Sequence, residues 1–164
     1  IRRQRQMCIR DRFLTPEQSE NGTIMINRVG KHNFDAHTHS LPKNRINTFI
    51  NYKKNKSKYS LIARYLDGYI NNRTISSRAL SLGYKNKVDS SLIFDISLEL
   101  PISQYLQINN NSGDYDLKTS IGIINLFDEK APRLYNAPDF SWDSRLHDPR
   151  GRMIRVNFQL IFNN

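Results

Sequence analysis

A group of potential metal ligands lies in the segment KHNFDAHTHS, which spans residues 31–40. Imidazole and carboxylate side chains in one loop are ligands that zinc and copper accept. The candidate ligands are His32, Asp35, His37 and His39. Their spacing matches no standard metal site, and a polar loop explains the same composition more simply. We therefore predict no metal site and no other cofactor from this sequence.

A hydrolytic site can also be drawn on paper, from Ser40, His147 and Asp148. A serine hydroxyl becomes a nucleophile when a histidine accepts its proton and a carboxylate orients that histidine. Neither the order nor the spacing of these residues indicates such an arrangement, and the sequence has no G-x-S-x-G turn to present a serine. We therefore predict that the chain is not an enzyme.

The connection from 127 to 152 is rich in the side chains that recognise ligands. Aromatic and arginine side chains carry much of the binding energy at recognition surfaces. The candidate ligand-binding residues are Arg133, Tyr135, Phe140, Trp142, Arg145 and His147. The same side chains can instead pack the loop and anchor strand ends, so both interpretations stay open here.

The basic character of the chain raises the question of a nucleic-acid partner. The 164 residues include 25 Lys and Arg against 15 Asp and Glu, a formal net charge of +10. Between Lys43 and Arg64 there are seven basic residues and no acidic one. Four of these lysines, at positions 53, 54, 56 and 58, lie in and around one predicted turn. A solvated hairpin end explains them, so we predict no nucleic-acid partner.

The first 12 residues are expected not to belong to the protein's own sequence. The segment IRRQRQMCIRDR holds five arginines and one aspartate, and it also holds the only cysteine, Cys8. The run MCIRDR at 7–12 back-translates into DNA that resembles the transposase adapter used to build shotgun sequencing libraries. We therefore expect residues 1–12 to be adapter-derived and residues 13–164 to be a fragment without its own N-terminus. The alternative is a genuine basic N-terminal arm.

Apolar and polar residues alternate along the chain, which indicates strands rather than helices. The five candidate strands span 45–53, 59–69, 91–100, 117–126 and 153–162. Strands of globular proteins average about 5 to 6 residues, whereas a strand that crosses an outer membrane needs about 9 to 11. The connections also tend to alternate between short and long. We therefore predict an all-β fold, as an antiparallel transmembrane β-barrel segment, with a soluble β-sandwich as the alternative.

The two folds differ in what covers the apolar side of the strands. In a membrane barrel that side faces lipid, whereas in a sandwich it packs against a second sheet. We predict a continuous outward belt formed by Leu92, Phe94, Ile96, Leu98, Ile154, Val156, Phe158 and Leu160.

Two motifs near the C-terminus frame the long aromatic loop. One predicted strand ends in NLFD, and after the loop the sequence DPRGR leads into a final alternating strand. The motif residues are Asn125, Leu126, Phe127, Asp128, Asp148, Pro149, Arg150, Gly151, Arg152 and, at the end of the final strand, Phe162. Together with LPKNR at 41–45 and VDSSLIFDISLEL at 88–100, this layout resembles the C-terminal end of TonB-dependent outer-membrane receptors.

The resemblance implies a barrel of about 22 strands in the cell outer membrane, of which residues 13–164 would be about the last five. It implies active uptake of a scarce nutrient of the ferric siderophore, cobalamin or oligosaccharide class. The implied partners are outer-membrane lipid, the barrel-assembly machinery and, through the missing N-terminal part, the inner-membrane TonB complex. The alternative function is that of a soluble β-sandwich binding module.

The motif residues also have physical roles that make them structural rather than catalytic. Gly151 suits a turn from loop to strand in a conformation that other residues disfavour, and Pro149 stiffens the approach. Asp148 can form an ion pair with Arg150 or Arg152 at the rim of the sheet. A solvent-exposed pair of this kind is expected to add little stability.

Overall fold

The structure is a computed structural model that describes residues 2–9, 14–19, 21–33, 40–102, 115–135 and 141–162. These residues form ten β-strands and one helix of five residues, so the prediction of an all-β fold is confirmed. In chain order the elements are β1 (Arg2–Ile9), β2 (Leu14–Ser19), β3 (Gly22–Asn27), β4 (Asn44–Lys54), β5 (Ser57–Leu66), β6 (Tyr69–Ile70), α1 (Ser77–Ser81), β7 (Lys87–Val88), β8 (Ser91–Pro101), β9 (Tyr115–Ile124) and β10 (Met153–Phe162). Within this part of the chain, no helix has the length and apolar character needed to span a membrane.

Six strands form one antiparallel sheet in the order β1-β4-β5-β8-β9-β10, here named the main sheet. Two hairpins, β2 with β3 and β6 with β7, form separate small sheets. From β4 onward, each strand of the main sheet pairs with the next main-sheet strand along the chain, as in an up-and-down meander. In the described residues this sheet is open, with β1 and β10 at its edges, and it does not close into a barrel.

The five strands predicted from the alternation are all present, and their ends differ from the prediction by up to three residues. The largest shift is in β5, which spans Ser57–Leu66 instead of 59–69. It begins early because the preceding turn contains only Asn55 and Lys56, with Asn55 at a φ of 54°. It ends early because the chain turns away after Leu66, and Tyr69 then pairs with β7 in another sheet.

The sequence does not predict β1, since it lies in the segment expected to derive from an adapter. β1 pairs with the outer edge of β4, from Arg2 opposite Asn51 to Ile9 opposite Asn44. Unpaired main-chain groups at a sheet edge accept an extended segment whatever its side chains. In the structure β4 is therefore paired on both sides, with β1 and with β5.

One face of the main sheet is apolar. The register aligns Leu98 of β8 with Ile121 of β9, and Ile121 with Val156 of β10, so the alternating apolar residues share one side. The eight residues predicted to form a belt all lie on this side, here named the apolar face. On it Ile154 and Phe158 are each 70% exposed. Among the described residues, no second sheet packs against the apolar face.

The opposite side, here named the polar face, carries charged and amide side chains. Arg64 Nη2 lies 2.8 Å from Asp95 Oδ2, and Lys58 Nζ lies 3.1 Å from Glu99 Oε1. Both pairs join the neighbouring strands β5 and β8. The Lys58–Glu99 pair is solvent-exposed and adds little stability, whereas in the Arg64–Asp95 pair the carboxylate is largely buried.

The most deeply buried apolar side chains lie outside the main sheet. Tyr69, Val88 and Leu134 are 2%, 1% and 1% exposed, and Leu146 packs against them. All four belong to connections that leave one end of the main sheet. This end of the molecule therefore carries the small hydrophobic core of the described residues.

Candidate functional site

Three connections leave the main sheet at the same end and form what we name the loop cluster. They are the segment before β4, the segment between β5 and β8, and the segment between β9 and β10. Successive connections of an antiparallel meander lie at alternate ends of the strands, which is why these three meet. The short turn between β4 and β5 lies at the opposite end.

Main-chain hydrogen bonds join the first two connections. Gly30 N donates to Leu41 O at 2.6 Å, which closes the first connection on itself. Ile70 N donates to Gly30 O at 2.8 Å, and His32 N donates to Ile70 O at 2.9 Å. The first connection is therefore fixed against the start of the second.

A buried network of polar side chains links all three connections. Ser40 Oγ donates to Asp143 Oδ2 at 2.5 Å, and Tyr69 Oη donates to the same oxygen at 3.5 Å. His32 Nδ1 lies 2.7 Å from Ser40 Oγ. None of the four residues is more than 6% exposed. Because buried polar groups are costly unless they are hydrogen-bonded, this network favours one arrangement of the cluster.

The network contains a serine, a histidine and a carboxylate, but its geometry differs from that of a hydrolytic triad. In a triad the histidine lies between the other two groups and contacts them through different ring nitrogens. Here Nδ1 of His32 faces both Ser40 Oγ and, at 3.8 Å, Asp143 Oδ2. Ser40 donates directly to the carboxylate and is only 4% exposed. The arrangement suits a structural role.

The three residues from which a triad can be drawn on paper are not brought together. Ser40 contacts Asp143, whereas His147 stacks on Tyr69 with ring centroids 6.4 Å apart. Asp148 forms an ion pair with an arginine two residues later in the chain.

Of the potential metal ligands, His32 lies in the buried network. Asp35, His37 and His39 lie outside the described residues. In the ranges that the structure describes, no three His, Cys, Asp or Glu residues form a group that could hold a metal ion.

Burial shifts the ionisation of two rings in the cluster. Burial raises the pKa of the Tyr69 hydroxyl well above its ordinary value, and the adjacent Asp143 carboxylate raises it further. Burial lowers the pKa of His147, while the charge of Asp143 acts in the opposite direction. His147 Nε2 is buried without a hydrogen-bond partner among the described residues. The packing therefore favours the neutral form of both rings.

We predict that the loop cluster loses stability as the pH falls below 6.5, the ordinary pKa of His147. Below that pH the unfolded chain binds a proton at His147, whereas the folded ring resists protonation until a lower pH is reached. The unfolded state then holds more protons than the folded state. The free energy of unfolding therefore becomes smaller as the pH falls. Urea unfolding of the full chain in non-ionic detergent, followed by the fluorescence of Trp142 in the cluster, at about pH 7.5 and about pH 5.5 measures this decrease.

The matched variant is His147→Phe, which keeps an aromatic ring beside Tyr69 and removes the titrating group. Its unfolding free energy should change less between the two pH values than that of the original chain. The same pH dependence in variant and original would contradict the assignment to His147.

The NLFD motif forms the turn that ends β9. Asn125 has a φ of 55°. Its side chain forms two hydrogen bonds with the backbone of Glu129: Oδ1 accepts from Glu129 N at 2.8 Å, and Nδ2 donates to Glu129 O at 2.9 Å. Asn125 N donates to Asp95 Oδ1 at 2.9 Å, and Asp95 pairs with Arg64. The turn is therefore anchored to the polar face of the main sheet.

The NLFD and DPRGR motifs contact each other across the long loop. Asp128 Oδ1 accepts a hydrogen bond from Arg152 N at 2.9 Å, and Lys130 Nζ donates to Asp128 Oδ2 at 2.7 Å. The bonds from Lys130 and Arg152 lower the pKa of Asp128. Gly151 has a φ of 71°, and a Cβ atom there would lie 2.5 Å from Asp128 Oδ1. The positive φ thus favours glycine, and any other residue would also have to displace the Asp128 carboxylate.

Asp148 pairs with Arg150 rather than with Arg152. Arg150 Nε and Nη2 donate to the two carboxylate oxygens at 2.6 to 3.1 Å. The hydrogen bonds lower the pKa of Asp148 and raise that of Arg150. Both side chains are exposed, so the pair orients the loop and adds little stability.

Four further motif residues lie just after β9, in the loop before β10 and at the end of β10. Leu126 N donates to Phe94 O at 2.7 Å, and the exposed ring of Phe127 meets the Phe94 ring edge-on with centroids 5.5 Å apart. Pro149 is exposed. Phe162 ends β10, and its side chain is outside the described part of the structure.

We predict that Gly151→Ala destabilises the junction of the two motifs by about 1–3 kcal/mol, because alanine is strained at this φ and its Cβ collides with Asp128. Gly83→Ala is the matched control, since Gly83 has a φ of 84° but no atom within 4 Å of an added Cβ. Comparing urea midpoints of the two variants separates the collision from the backbone strain. Equal midpoints would contradict a specific contact between Gly151 and Asp128.

The candidate ligand-binding residues differ in exposure. Arg133 and Arg145 have exposed side chains, and Trp142 is half-buried. His147 is 7% exposed and stacked in the cluster. Phe140 lies outside the described residues. The two arginines are therefore the members of the set that present charge to solvent.

Tyr135 takes part in packing between the second and third connections. Its ring meets that of Tyr84 at 5.7 Å between centroids and 62° between planes. Its hydroxyl donates to Ser76 Oγ at 3.3 Å, and its carbonyl accepts from Asn71 Nδ2 at 3.0 Å. Tyr135 thus orients the loop that carries the exposed arginines.

Sequence reasoning does not identify Asp143, the centre of the buried network. Locally, Asp143 forms only a common type of turn, in which the side chain of an aspartate accepts a hydrogen bond from the backbone two residues later. Here Asp143 Oδ1 accepts from Arg145 N at 3.0 Å. Many surface aspartates form this turn. The contact with Ser40, 103 residues away, depends on the assembled loops.

Two features emerge from this geometry: a sheet with one apolar and one polar face, and a loop cluster fixed by buried polar contacts. Comparison with protein-family models, with curated proteins and with solved structures finds no match for this chain.

Proposed function

We propose that this chain is part of the β-barrel of a TonB-dependent outer-membrane receptor, a non-enzymatic importer of a scarce nutrient. The observation that carries the proposal is the apolar face of the main sheet, which no second sheet covers in the described residues. The strand lengths, the connection lengths and the contacts between the motifs also agree with such a barrel.

The apolar face fits lipid better than water. The largest apolar patch of a soluble monomer typically measures about 300–600 Å². Here exposed apolar side chains continue across neighbouring strands, from Leu92 at 45% through Ile121 at 41% to Ile154 and Phe158 at 70% each. Hydrocarbon chains are the partner that such a band suits.

The strand lengths and connections agree with this proposal. β4, β5, β8, β9 and β10 contain 11, 10, 11, 10 and 10 residues. A tilted strand needs about 9–11 residues to cross an outer membrane. The meander has the loop cluster at one end, and at the other a two-residue turn between β4 and β5 and a longer connection, residues 102–114, between β8 and β9, which fits the pattern least well. Short turns on one side and long loops on the other are typical of outer-membrane barrels.

The contact between the NLFD and DPRGR motifs supports the resemblance to TonB-dependent receptors, which rests partly on these two motifs. Asp128 of NLFD and Gly151 of DPRGR meet closely, and the positive φ of Gly151 favours glycine at that position. The spacing of the motifs along the chain thus has a structural reason.

In this proposal the polar face lines the barrel interior, and the loop cluster faces the outside of the cell. Arg133 and Arg145 would then meet the ligand first. Ferric siderophores, cobalamin and oligosaccharides are the substrate classes considered. Outer-membrane lipid and the barrel-assembly machinery are the proposed partners, together with the inner-membrane TonB complex, which would act through a preceding N-terminal part.

The fold part of the proposal is tested by the solution behaviour of residues 13–164 expressed alone. We expect aggregation in water and dispersal in detergent, because the apolar face and two open strand edges would be exposed. Analytical ultracentrifugation with and without detergent measures this. A soluble monomer that unfolds cooperatively would contradict the proposal and favour the β-sandwich module.

The uptake part is tested in the host cell. Deletion of the gene should reduce accumulation of one labelled nutrient among ferric siderophores, cobalamin and oligosaccharides, and the intact gene should restore it. Arg133→Ala with Arg145→Ala should weaken uptake without lowering the amount of protein in the outer membrane. Unchanged uptake of all three classes on deletion would contradict the assigned function.

A further inference from the structure

A groove lies on the polar face, at the end of the main sheet opposite the loop cluster. Its volume is about 790 Å³. This is within the range of about 300–1,000 Å³ typical of ligand sites. The lining residues are Lys53, Lys56, Lys58, Glu99, Leu100, Pro101, Lys118, Thr119, Ser120, Asn157 and Gln159. We name it the lysine groove.

The lysine groove has an excess of positive charge. Its lining includes four lysines and one carboxylate, Glu99, whose Oε1 lies 3.1 Å from Lys58 Nζ. Lys53 lies directly opposite Lys58 in the β4–β5 register. Like charges in directly opposite positions destabilise a strand pair. In the described residues Lys53, Lys56 and Lys118 have no ion pair, so an anionic partner would relieve this repulsion.

The charges are spread over a distance that suits an elongated partner. Lys53 is on β4 and Lys118 on β9, and β5 and β8 lie between these strands. Neighbouring strands are about 4.8 Å apart, so three spacings separate these lysines by roughly 14 Å across the sheet. A chain with several carboxylates matches charges spread over this distance better than a single phosphate does.

The uncharged lining favours a polypeptide over a nucleic acid. Asn157 and Gln159 carry amide groups, which both donate and accept hydrogen bonds as a peptide backbone does. Single-stranded nucleic acids bind by stacking their bases on aromatic side chains. The residues that line the groove include no aromatic side chain.

We propose that the lysine groove binds an acidic polypeptide segment in an extended form that runs across the strands. Carboxylates of the segment pair with Lys53, Lys56 and Lys118, and its backbone contacts the amide groups of β10. The proposal depends on the polar face alone and does not require that the apolar face meets lipid.

The test uses a fluorescent peptide of about ten residues that alternates glutamate with serine, and a second peptide with glutamine in place of glutamate. The full chain in non-ionic detergent is titrated with each, and fluorescence anisotropy gives the affinity at about 0.05 M and about 0.3 M salt. We expect binding of the glutamate peptide only, with weaker binding at the higher salt concentration.

The decisive variant is the triple substitution Lys53→Gln, Lys56→Gln and Lys118→Gln. It should weaken binding about tenfold or more, because three exposed charge pairs are lost together. The control is Lys43→Gln with Lys85→Gln and Lys87→Gln, which removes three exposed lysines at the loop-cluster end. The control should bind within about twofold of the original chain.

Circular dichroism of both triple variants checks that the sheet is retained. Equal affinity of the two triple variants, with the sheet intact in both, would overturn the proposal. An oligothymidine that binds as tightly as the glutamate peptide, and is weakened by the same three substitutions, would also overturn it in favour of a nucleic-acid groove.

Discussion

Replacing Phe158 by arginine is expected to lower the binding of the full chain to lipid vesicles by about 30-fold or more. Phe158 lies in the middle of β10 on the apolar face and is 70% exposed. An arginine on the lipid face of a membrane strand costs about 2–4 kcal/mol near the bilayer midplane. In a soluble protein the same exposed position would accept arginine with a change of about 0.5 kcal/mol or less.

The matched control is Asn157→Arg, one residue earlier in β10. Its side chain lies on the polar face, where Nδ2 donates to Ser120 Oγ at 3.1 Å. The added charge should leave vesicle binding within about twofold, since this face would line water. Co-sedimentation with vesicles measures both variants. Equal effects of the two substitutions would contradict the assignment of the apolar face to lipid.

Replacing Asp143 by alanine is expected to raise the equilibrium constant for opening of the loop cluster by about 30- to 100-fold. The carboxylate accepts hydrogen bonds from Ser40 Oγ and Tyr69 Oη in a buried site. Its removal takes from the Tyr69 hydroxyl its bond to the carboxylate and from Ser40 Oγ its shortest bond, so that Ser40 keeps only its contacts with His32, at a cost of about 2–3 kcal/mol. Hydrogen exchange at the Leu134 amide, which bonds to Ser141 O at 2.7 Å, reports the opening.

Asp148→Ala provides a control in the same loop, because Asp148 is exposed and its ion pair in the described residues is with the exposed Arg150. It should change exchange at Leu134 by no more than a few-fold. Asp143→Asn, which keeps an acceptor oxygen, should fall between the two alanine variants. Similar exchange in Asp143→Ala and Asp148→Ala would mean that the buried network does not hold the cluster together.

The main sheet could be predicted from sequence because its strands repeat one local rule. In β10 the apolar residues from Ile154 to Leu160 alternate strictly with polar ones, and this period of two is a property of neighbouring residues. β1 could not be predicted in this way. It joins the sheet through main-chain pairing with the edge of β4, which side-chain alternation does not encode.

The candidate site was less predictable because its contacts join distant segments. Glycine at position 151 could be assigned to a turn, but its close approach to Asp128 depends on the fold of the intervening loop. The buried bond between Ser40 and Asp143 spans 103 residues, and neither residue is unusual in its local sequence. The ion pair of Asp148 with Arg150 joins residues close in sequence, so the sequence could limit the partner of Asp148 to Arg150 or Arg152.

The central claim is that the apolar face meets lipid while the polar face meets water. The most direct measurement places a nitroxide label at each position from 154 to 160 of the full chain in lipid vesicles, after replacing Cys8 with serine. Collisions with oxygen report lipid contact, and collisions with a water-soluble nickel complex report water contact. We predict high oxygen accessibility at Ile154, Val156, Phe158 and Leu160, alternating with high nickel accessibility at Arg155, Asn157 and Gln159. Low accessibility to both reagents at the apolar positions, as in a closed soluble core, would contradict the claim.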